Sequence, residues 1–387
     1  MDVDFQRIIK FPKNYSFFLF GPRGVGKSTI IRKNFNKNSI YIDLLDPKQE
    51  IRFTSDPNEL ENIVRNLDLK TTYIIIDEVQ KIPKLLDLVH LLIEREKKYF
   101  ILTGSSARKL KRGNANLLAG RAFTYHLHAL TSIELSDNFH LNDALHWGTL
   151  PKICQFKNNS EKHNFLEAYA HTYLKEEIWA EQFIKDLDPF RKFLEVAAQM
   201  NGKILNLSKI ARDTGVDEST IKRYYAILED TLLGFFLTAY KSSFRKQLST
   251  KPKFYFFDTG VTRALNYSLS SKLREGTYEY GNSFEHFIIL ECIKLANYNK
   301  KEYRFSYLKT KDDAEIDLVV ERPNKPILFI EIKSSKQVKK EDLSGFSRLV
   351  NDFGKCEAVC FSQDEYTKNF GKVKIYPWQE GLKKFFC

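Results

Sequence analysis

Cysteine is scarce in this chain, and none of it is arranged for metal. Five occur in 387 residues, at 154, 292, 356, 360 and 387. They form no C-x-x-C pair and no Cys/His set of zinc spacing, and an odd count argues against a disulfide framework. A reduced cytosol is therefore the expected setting. Long apolar runs are also missing: nothing approaches the roughly 18 residues of a membrane-spanning helix. The opening MDVDFQRIIKFPK has two acids in its first four residues and lacks the basic and apolar regions of a signal peptide. The expectation is a soluble, cytoplasmic protein with no membrane partner. Acids are in deficit as well, with 49 Asp+Glu against 61 Lys+Arg and a net charge of +12. That balance favours a polyanionic partner, nucleic acid rather than lipid. What the chain does have is core material: 31 Phe, 19 Tyr and 43% hydrophobic residues exclude global disorder. At about 100 to 200 residues per domain its length implies about two to four domains.

The first 130 residues alternate short apolar runs with helical stretches, the pattern of a parallel sheet with crossovers. SFFLF (16–20), IYIDLL (40–45), YIIIDE (73–78) and YFILTG (99–104) read as its strands, and each ends in a polar or glycine-rich turn. Chemistry should therefore gather at their carboxyl ends. From 160 the pattern becomes long and amphipathic. Residues 203–230 then offer Ser208 as a helix N-cap, Gly215 at a tight turn and Asp217 as a second cap, a helix-turn-helix spacing. FFLTAY and KFYFF follow as wing strands. After 275 come a helix and strands at 303–308, 316–320 and 327–332. The expected architecture is α/β in three parts: a phosphate-loop core with a parallel sheet (1–145), a helical and winged-helix middle (146–270), and an α/β terminal domain (271–387).

Gly21-Pro22-Arg23-Gly24-Val25-Gly26-Lys27-Ser28-Thr29 matches G-x-x-x-x-G-K-[ST] between a strand and a helix. In that context backbone N–H groups and the helix N-terminus cradle the phosphates of ATP, Lys27 reaches the β and γ phosphates, and Ser28 binds Mg²⁺. The apolar run ending in Asp77 and Glu78 supplies the next requirements, a carboxylate for the metal and a second to polarise water. Thr103, at the tip of the following strand, is placed to sense the γ phosphate. Arg121 in LLAGRA reads either as a finger reaching a neighbouring subunit's nucleotide or as a structural ion-pair partner.

GPRGVGKST, IIIDEVQKIP, FILTGSS, LLAGRA and ALTSIEL, with KPKFYFFDTGVTRAL and GNSFEHFIILE further on, occur in an order that resembles a widespread prokaryotic group of AAA-type ATPases. The C-terminal half of that group was long catalogued as a domain of unknown function. The resemblance spans nearly the whole chain. It implies an extended AAA ATPase with a winged helix and a restriction-endonuclease-like terminal domain.

A second constellation lies in that terminal segment. Glu285 is on an amphipathic helix, Glu315-Ile316-Asp317 opens a strand, and Glu331-Ile332-Lys333 ends the next. An acid followed by E-x-K on an adjacent strand is the pattern of PD-(D/E)-x-K nucleases. The strand period of two turns Glu331 and Lys333 to one face. Asp317 and Glu331 would hold magnesium, Glu285 would complete the shell, and Lys333 would position or deprotonate a water. E-x-K alternation also recurs on half-exposed strands, and such domains are kept both as nucleases and as DNA-gripping platforms.

Basic runs suggest the DNA path. Arg108, Lys109, Lys111 and Arg112 crowd one acid-free segment, and Lys246, Lys251 and Lys253 another. Thr220, Lys222 and Arg223 open the second helix of the helix-turn-helix, where base edges are read. These runs can equally be solvated faces, and the winged helix can pack on protein alone. The expectation is an ATP-driven DNA motor or remodeller, acting on duplex or branched DNA, with a nuclease-like terminus. A homo-oligomeric ring follows if Arg121 acts across an interface, a hexamer being one form. The alternative is a nucleotide-gated switch controlling a DNA-bound regulator or a defence nuclease.

Overall fold

The structure is a computed structural model that describes residues 5–105, 118, 120–173, 187–240, 251–310, 314–353 and 355–387. Arg108, Lys109, Lys111, Arg112 and Lys246 lie outside the described residues. The chain folds as two compact units, one built from Arg7–Leu130 with Ala226–Leu233, the other from Thr131–Tyr225 with Gly234–Cys387.

The first unit carries a five-stranded sheet in the order β2-β3-β4-β1-β5. Its strands are β1 (Ser16–Phe20), β2 (Ser39–Asp43), β3 (Tyr73–Asp77), β4 (Tyr99–Gly104) and β5 (Ala122–His126). All four pairings are parallel. The four expected strands are present; β5, whose AFTYH alternates and stays partly exposed, had no comparable apolar run to announce it. Every residue of β1 is buried, as in a strand covered on both faces. Burial of Phe17, Phe18 and Phe20 contributes about 2 kcal/mol each. Register places Asp43 beside Asp77 and Phe20 beside Gly104. The polar residues that follow the apolar runs thus share one edge of the sheet.

The second unit contains a mixed eight-stranded sheet in the order β12-β13-β11-β10-β9-β8-β6-β7. The strands are β6 (Gly234–Ala239), β7 (Lys253–Phe256), β8 (Arg304–Lys309), β9 (Glu315–Glu321), β10 (Ile327–Lys333), β11 (Cys356–Ser362), β12 (Lys368–Phe370) and β13 (Val373–Pro377). β6 and β7 pair antiparallel, as wing strands should. However, β6 also runs parallel to β8 through Thr238–Ser306 and Ala239–Tyr307, so this hairpin is the edge of the larger sheet rather than a free wing. The middle and terminal segments consequently share one sheet across residue 270. Helices Leu207–Thr214 and Glu218–Asp230 flank Gly215, whose φ of 75° needs the left-handed region. The first of these is capped by Asn206, which accepts from the Lys209 N–H at 3.2 Å, and not by Ser208, whose hydroxyl bonds Glu218. Asp217 accepts from the Thr220 N–H at 2.9 Å, the cap that was expected. Helix Tyr278–Tyr298 is capped by Thr277 and buried along most of its length.

Candidate functional site

In the first unit the loop from Gly21 to Gly26 curls between β1 and helix Lys27–Asn34. Gly24 and Gly26 take φ of 80° and 92°, conformations that side chains rarely adopt, and a Cβ on Gly21 would run into the Leu127 carbonyl. The Lys27 ammonium is buried at the centre of the curl and donates to the carbonyls of Gly21 (2.8 Å) and Pro22 (3.2 Å). Ser28 and Thr29 stand in the first turn of the helix, whose N-terminal N–H groups are free to face an anion.

Asp77 ends β3 beside this loop, and both its carboxylate oxygens are held by hydroxyls. Thr103, fully buried at the end of β4, donates to Oδ1; Tyr41 of β2 donates to Oδ2. Tyr41 also meets the Ser28 hydroxyl, and burial, followed by the bond to Asp77, pushes its phenol up to about 12. A single hydroxyl thus touches both residues expected at the magnesium. This donor set of hard oxygens fits that ion.

Glu78 follows with φ 58°, a conformation uncommon for a residue with a side chain. Its N–H donates to Thr103 Oγ1 at 3.2 Å. Its carboxylate accepts from Gln80 Nε2, which also donates to Ser105 Oγ at 3.2 Å. Tyr41 and Gln80 escaped the sequence reading, because nothing in their local pattern marks them. The Arg121 guanidinium pairs with Glu94 of its own chain, and this pairing holds the Glu94 carboxyl below its ordinary value.

In the second unit a cavity of about 600 Å³ is lined by Glu285, Asp317, Glu331 and Lys333, all four residues of the second constellation. The antiparallel register of β9 and β10 runs to Leu318 opposite Ile330, and Asp317 and Glu331 are the next residues on their strands. Asp317 Oδ2 accepts from the Ile332 N–H at 2.7 Å, and Lys333 Nζ lies 2.7 Å from Glu331 Oε1. Burial, then the nearby Glu331 and Glu285 charges, holds the Asp317 carboxyl well above the usual carboxylate range. Glu331 is also raised, chiefly by burial, with Lys333 partly offsetting it. Glu331 is 8% exposed, and among the described residues its Oε2 has no hydrogen-bond partner. An unpaired buried carboxylate oxygen is costly, and a divalent cation would relieve it.

Three corrections follow from this cavity and the helix-turn-helix. Lys253 does not belong to an open basic face: it is 4% exposed, points into the cavity, and lies 2.5 Å from Glu315 Oε1 and 3.6 Å from Glu285 Oε1. Burial alone would lower its pKa, but Glu285, Glu315 and Asp317 together raise it. Glu285 is engaged elsewhere, its Oε1 accepting from Tyr255 at 2.8 Å. Among the described residues no group of three or more His, Cys, Asp or Glu side chains is arranged to hold a metal ion. The expected three-acid shell reduces to Asp317 and Glu331, enough for Mg²⁺, which keeps waters and draws further ligands from phosphate. Thr220 spends its hydroxyl on Asp217 Oδ2 at 2.9 Å, which leaves Lys222 and Arg223 as the exposed cations of that helix, with Lys251 exposed ahead of β7. Tyr255 and Glu315 were missed as site residues, although Glu315 shares the Asp317 face by the period of two.

Residues 13–136 match the model of a family described as AAA domain; they form an AAA-type phosphate-loop domain. Residues 138–273 and 280–380 match families described as domains of unknown function, DUF8612 and DUF4143. Uncharacterized proteins of Mycobacterium tuberculosis and Mycobacterium bovis are each 27% identical over 321 residues, 81% of this chain and 69% of theirs. One from Haemophilus influenzae is 21% identical over 359 residues, 86% of this chain and 83% of its own. Among solved structures, the Aeropyrum pernix ORC1 protein in complex with DNA aligns with a TM-score of 0.24 at 11% identity, covering 66% of this chain and 86% of that one. Can2 from Sulfobacillus thermosulfidooxidans in complex with cyclic tetra-adenylate aligns at 0.22 and 10%, covering 96% and 98%. At those scores neither neighbour carries weight; the sheet order and the loop do. No described helix is long and apolar enough to cross a membrane.

Proposed function

We propose that this protein is an ATP-hydrolysing, DNA-acting AAA-type motor or remodeller whose second unit grips or cuts DNA at the Asp317–Glu331–Lys333 cavity. The observation that carries the nucleotide half is the Asp77 carboxylate, fixed on both oxygens beside the Lys27 loop with Glu78 next to it. In that arrangement Ser28 and Asp77 would hold Mg²⁺, which supplies charge neutralisation at the phosphates. Lys27 and the loop N–H groups bind the phosphate oxygens, and Glu78, aimed by Gln80 and Thr103, accepts a proton from the attacking water. For the DNA half, Asp317 and Glu331 would hold a divalent cation, and Lys333 orients a water over a phosphodiester. Lys222 and Arg223 are exposed on the helix that would meet the duplex.

The test is ATP turnover by the full chain with no DNA and with single-stranded, duplex and branched DNA. Stimulation by one of these forms to more than roughly one turnover per second is expected of a motor. Turnover indifferent to every form overturns that reading. Replacing Lys222 and Arg223 with alanine should lower the slope of log affinity against log salt by about one for each phosphate that is no longer neutralised.

A further inference from the structure

Four buried or half-buried carboxylates line the cavity of the second unit, Glu285, Glu315, Asp317 and Glu331, with a fifth, Asp342, exposed at its rim. Acids in that number could serve the two-ion arrangement of many phosphodiester enzymes, in which metals sit about 4 Å apart. Their partners divide them unequally. Glu315 and Glu285 are bridged by one buried ammonium, Lys253, at 2.5 and 3.6 Å. That ammonium comes from β7, the strand that ends the sheet order with β9, β8 and β6 between it and β10, and lies 5.3 Å from the centroid of the Tyr307 ring. Glu285 is pinned further by the Tyr255 hydroxyl at 2.8 Å. Glu331 gives one oxygen to Lys333 and, among the described residues, keeps Oε2 without a hydrogen-bond partner. Among the described residues no ammonium lies within ion-pair distance of Asp317, which receives only the Ile332 N–H on Oδ2.

Charge follows the same division. With all four buried or half-buried carboxylates ionised, as cation binding requires, they and the two ammoniums leave two negative charges, which one divalent cation cancels and two would overshoot. Lys203, Lys309 and Asp342 also line the cavity, but they are exposed, where solvent screens them. A second divalent ion between Glu285 and Glu315 would have to displace a buried, doubly paired lysine, and stripping the partners from such an ammonium is strongly unfavourable.

We propose that the Lys253 ammonium stands in the place of a second divalent cation, so that this cavity takes one Mg²⁺ or Mn²⁺, between Asp317 and Glu331, and no more. This rests on the divalent-cation reading of the cavity given above. It makes Lys253 a positioning residue that holds Glu285 and Glu315 and sets the metal count.

The experiment counts Mn²⁺ by electron paramagnetic resonance on the full chain without nucleotide, in an Asp77→Asn background that removes the carboxylate proposed to hold the metal at the nucleotide site. One ion per chain is expected, with affinity weakened ~10-fold or more by Glu331→Gln. Lys253→Met should admit a second ion, seen as two Mn²⁺ per chain with dipolar broadening, whereas Lys253→Arg should stay at one. Two ions in the background protein, or one ion still in a folded Lys253→Met, overturn the proposal while leaving a metal-dependent cavity in place. No ion in the background protein overturns the divalent reading itself. The background count decides between one and two even where Lys253→Met does not fold.

Discussion

Thr103→Val isolates the hydroxyl that joins the two acidic residues of the nucleotide site. Valine has the same shape, so the buried position at the end of β4 stays filled and no cavity term enters. What disappears is a pair of bonds: the donation to Asp77 Oδ1, and acceptance of the Glu78 N–H at 3.2 Å. Leaving a buried group unsatisfied costs about 1–3 kcal/mol, with the charged carboxylate at the upper end, so the two together should lower stability by about 3 kcal/mol. The turnover effect comes from the second bond. The Glu78 backbone is held at φ 58°, and without that anchor the carboxylate loses its aim. An aiming loss of about 1.4 to 2.8 kcal/mol in the transition state is a 10- to 100-fold fall in kcat. KM for ATP should change little, because the Lys27 loop is untouched. Phosphate release and thermal melts measure both, with Thr103→Ser as control, since serine keeps the hydroxyl. If Thr103→Val turns over within twofold of the native protein, or Thr103→Ser falls equally far, the hydroxyl does not organise this site.

Lys27→Ala should abolish nucleotide binding or turnover with the fold intact, while Glu78→Gln should bind ATP and barely hydrolyse it; equal turnover in native protein and Glu78→Gln would remove Glu78 from the role of base. His286 predicts a pH dependence of stability: it is buried, its Nε2–H donates to the Phe256 carbonyl at 2.7 Å, and burial lowers its pKa from 6.5 to about 4. Between those values the unfolded chain binds a proton that the folded one refuses, so stability falls as pH drops through the window, by about 3 kcal/mol at 1.36 kcal/mol per pKa unit. Urea midpoints of the transition of the second unit, followed from pH 7 to pH 4, should show this fall, and it should shrink in a folded His286→Gln.

The nucleotide site was legible because its chemistry is local. Gly24, Gly26, Lys27 and Ser28 are consecutive or nearly so, and backbone conformation alone makes the loop. β1, β3 and β4 could be read from unbroken apolar runs, since strands covered on both faces show no alternation. β5 was not, because AFTYH is half exposed at the edge of the sheet. The residues that aim the acids resisted reading for another reason. Tyr41 reaches Asp77 only because β2 pairs beside β3, and pairing order is a property of the whole sheet.

Lys253 shows where pattern reading goes astray and why. Its segment has no acid nearby in sequence, which favours an open cationic face meeting phosphate. Space reverses that inference. β7 brings Lys253 within 2.5 Å of Glu315 and 3.6 Å of Glu285, acids that belong to a strand and a helix far along the chain. A basic run in sequence specifies a basic surface only when the fold exposes it, and a β-strand exposes at most alternate residues. All four residues of β7 are buried, so a lysine there has to find carboxylates inside the protein. Lys251, two residues earlier and exposed, meets no such demand. In the proposed function, DNA contact by this unit would therefore fall to cations such as Lys251, Lys222 and Arg223, which are exposed, while Lys253 offsets the charge of Glu285 and Glu315 inside the cavity.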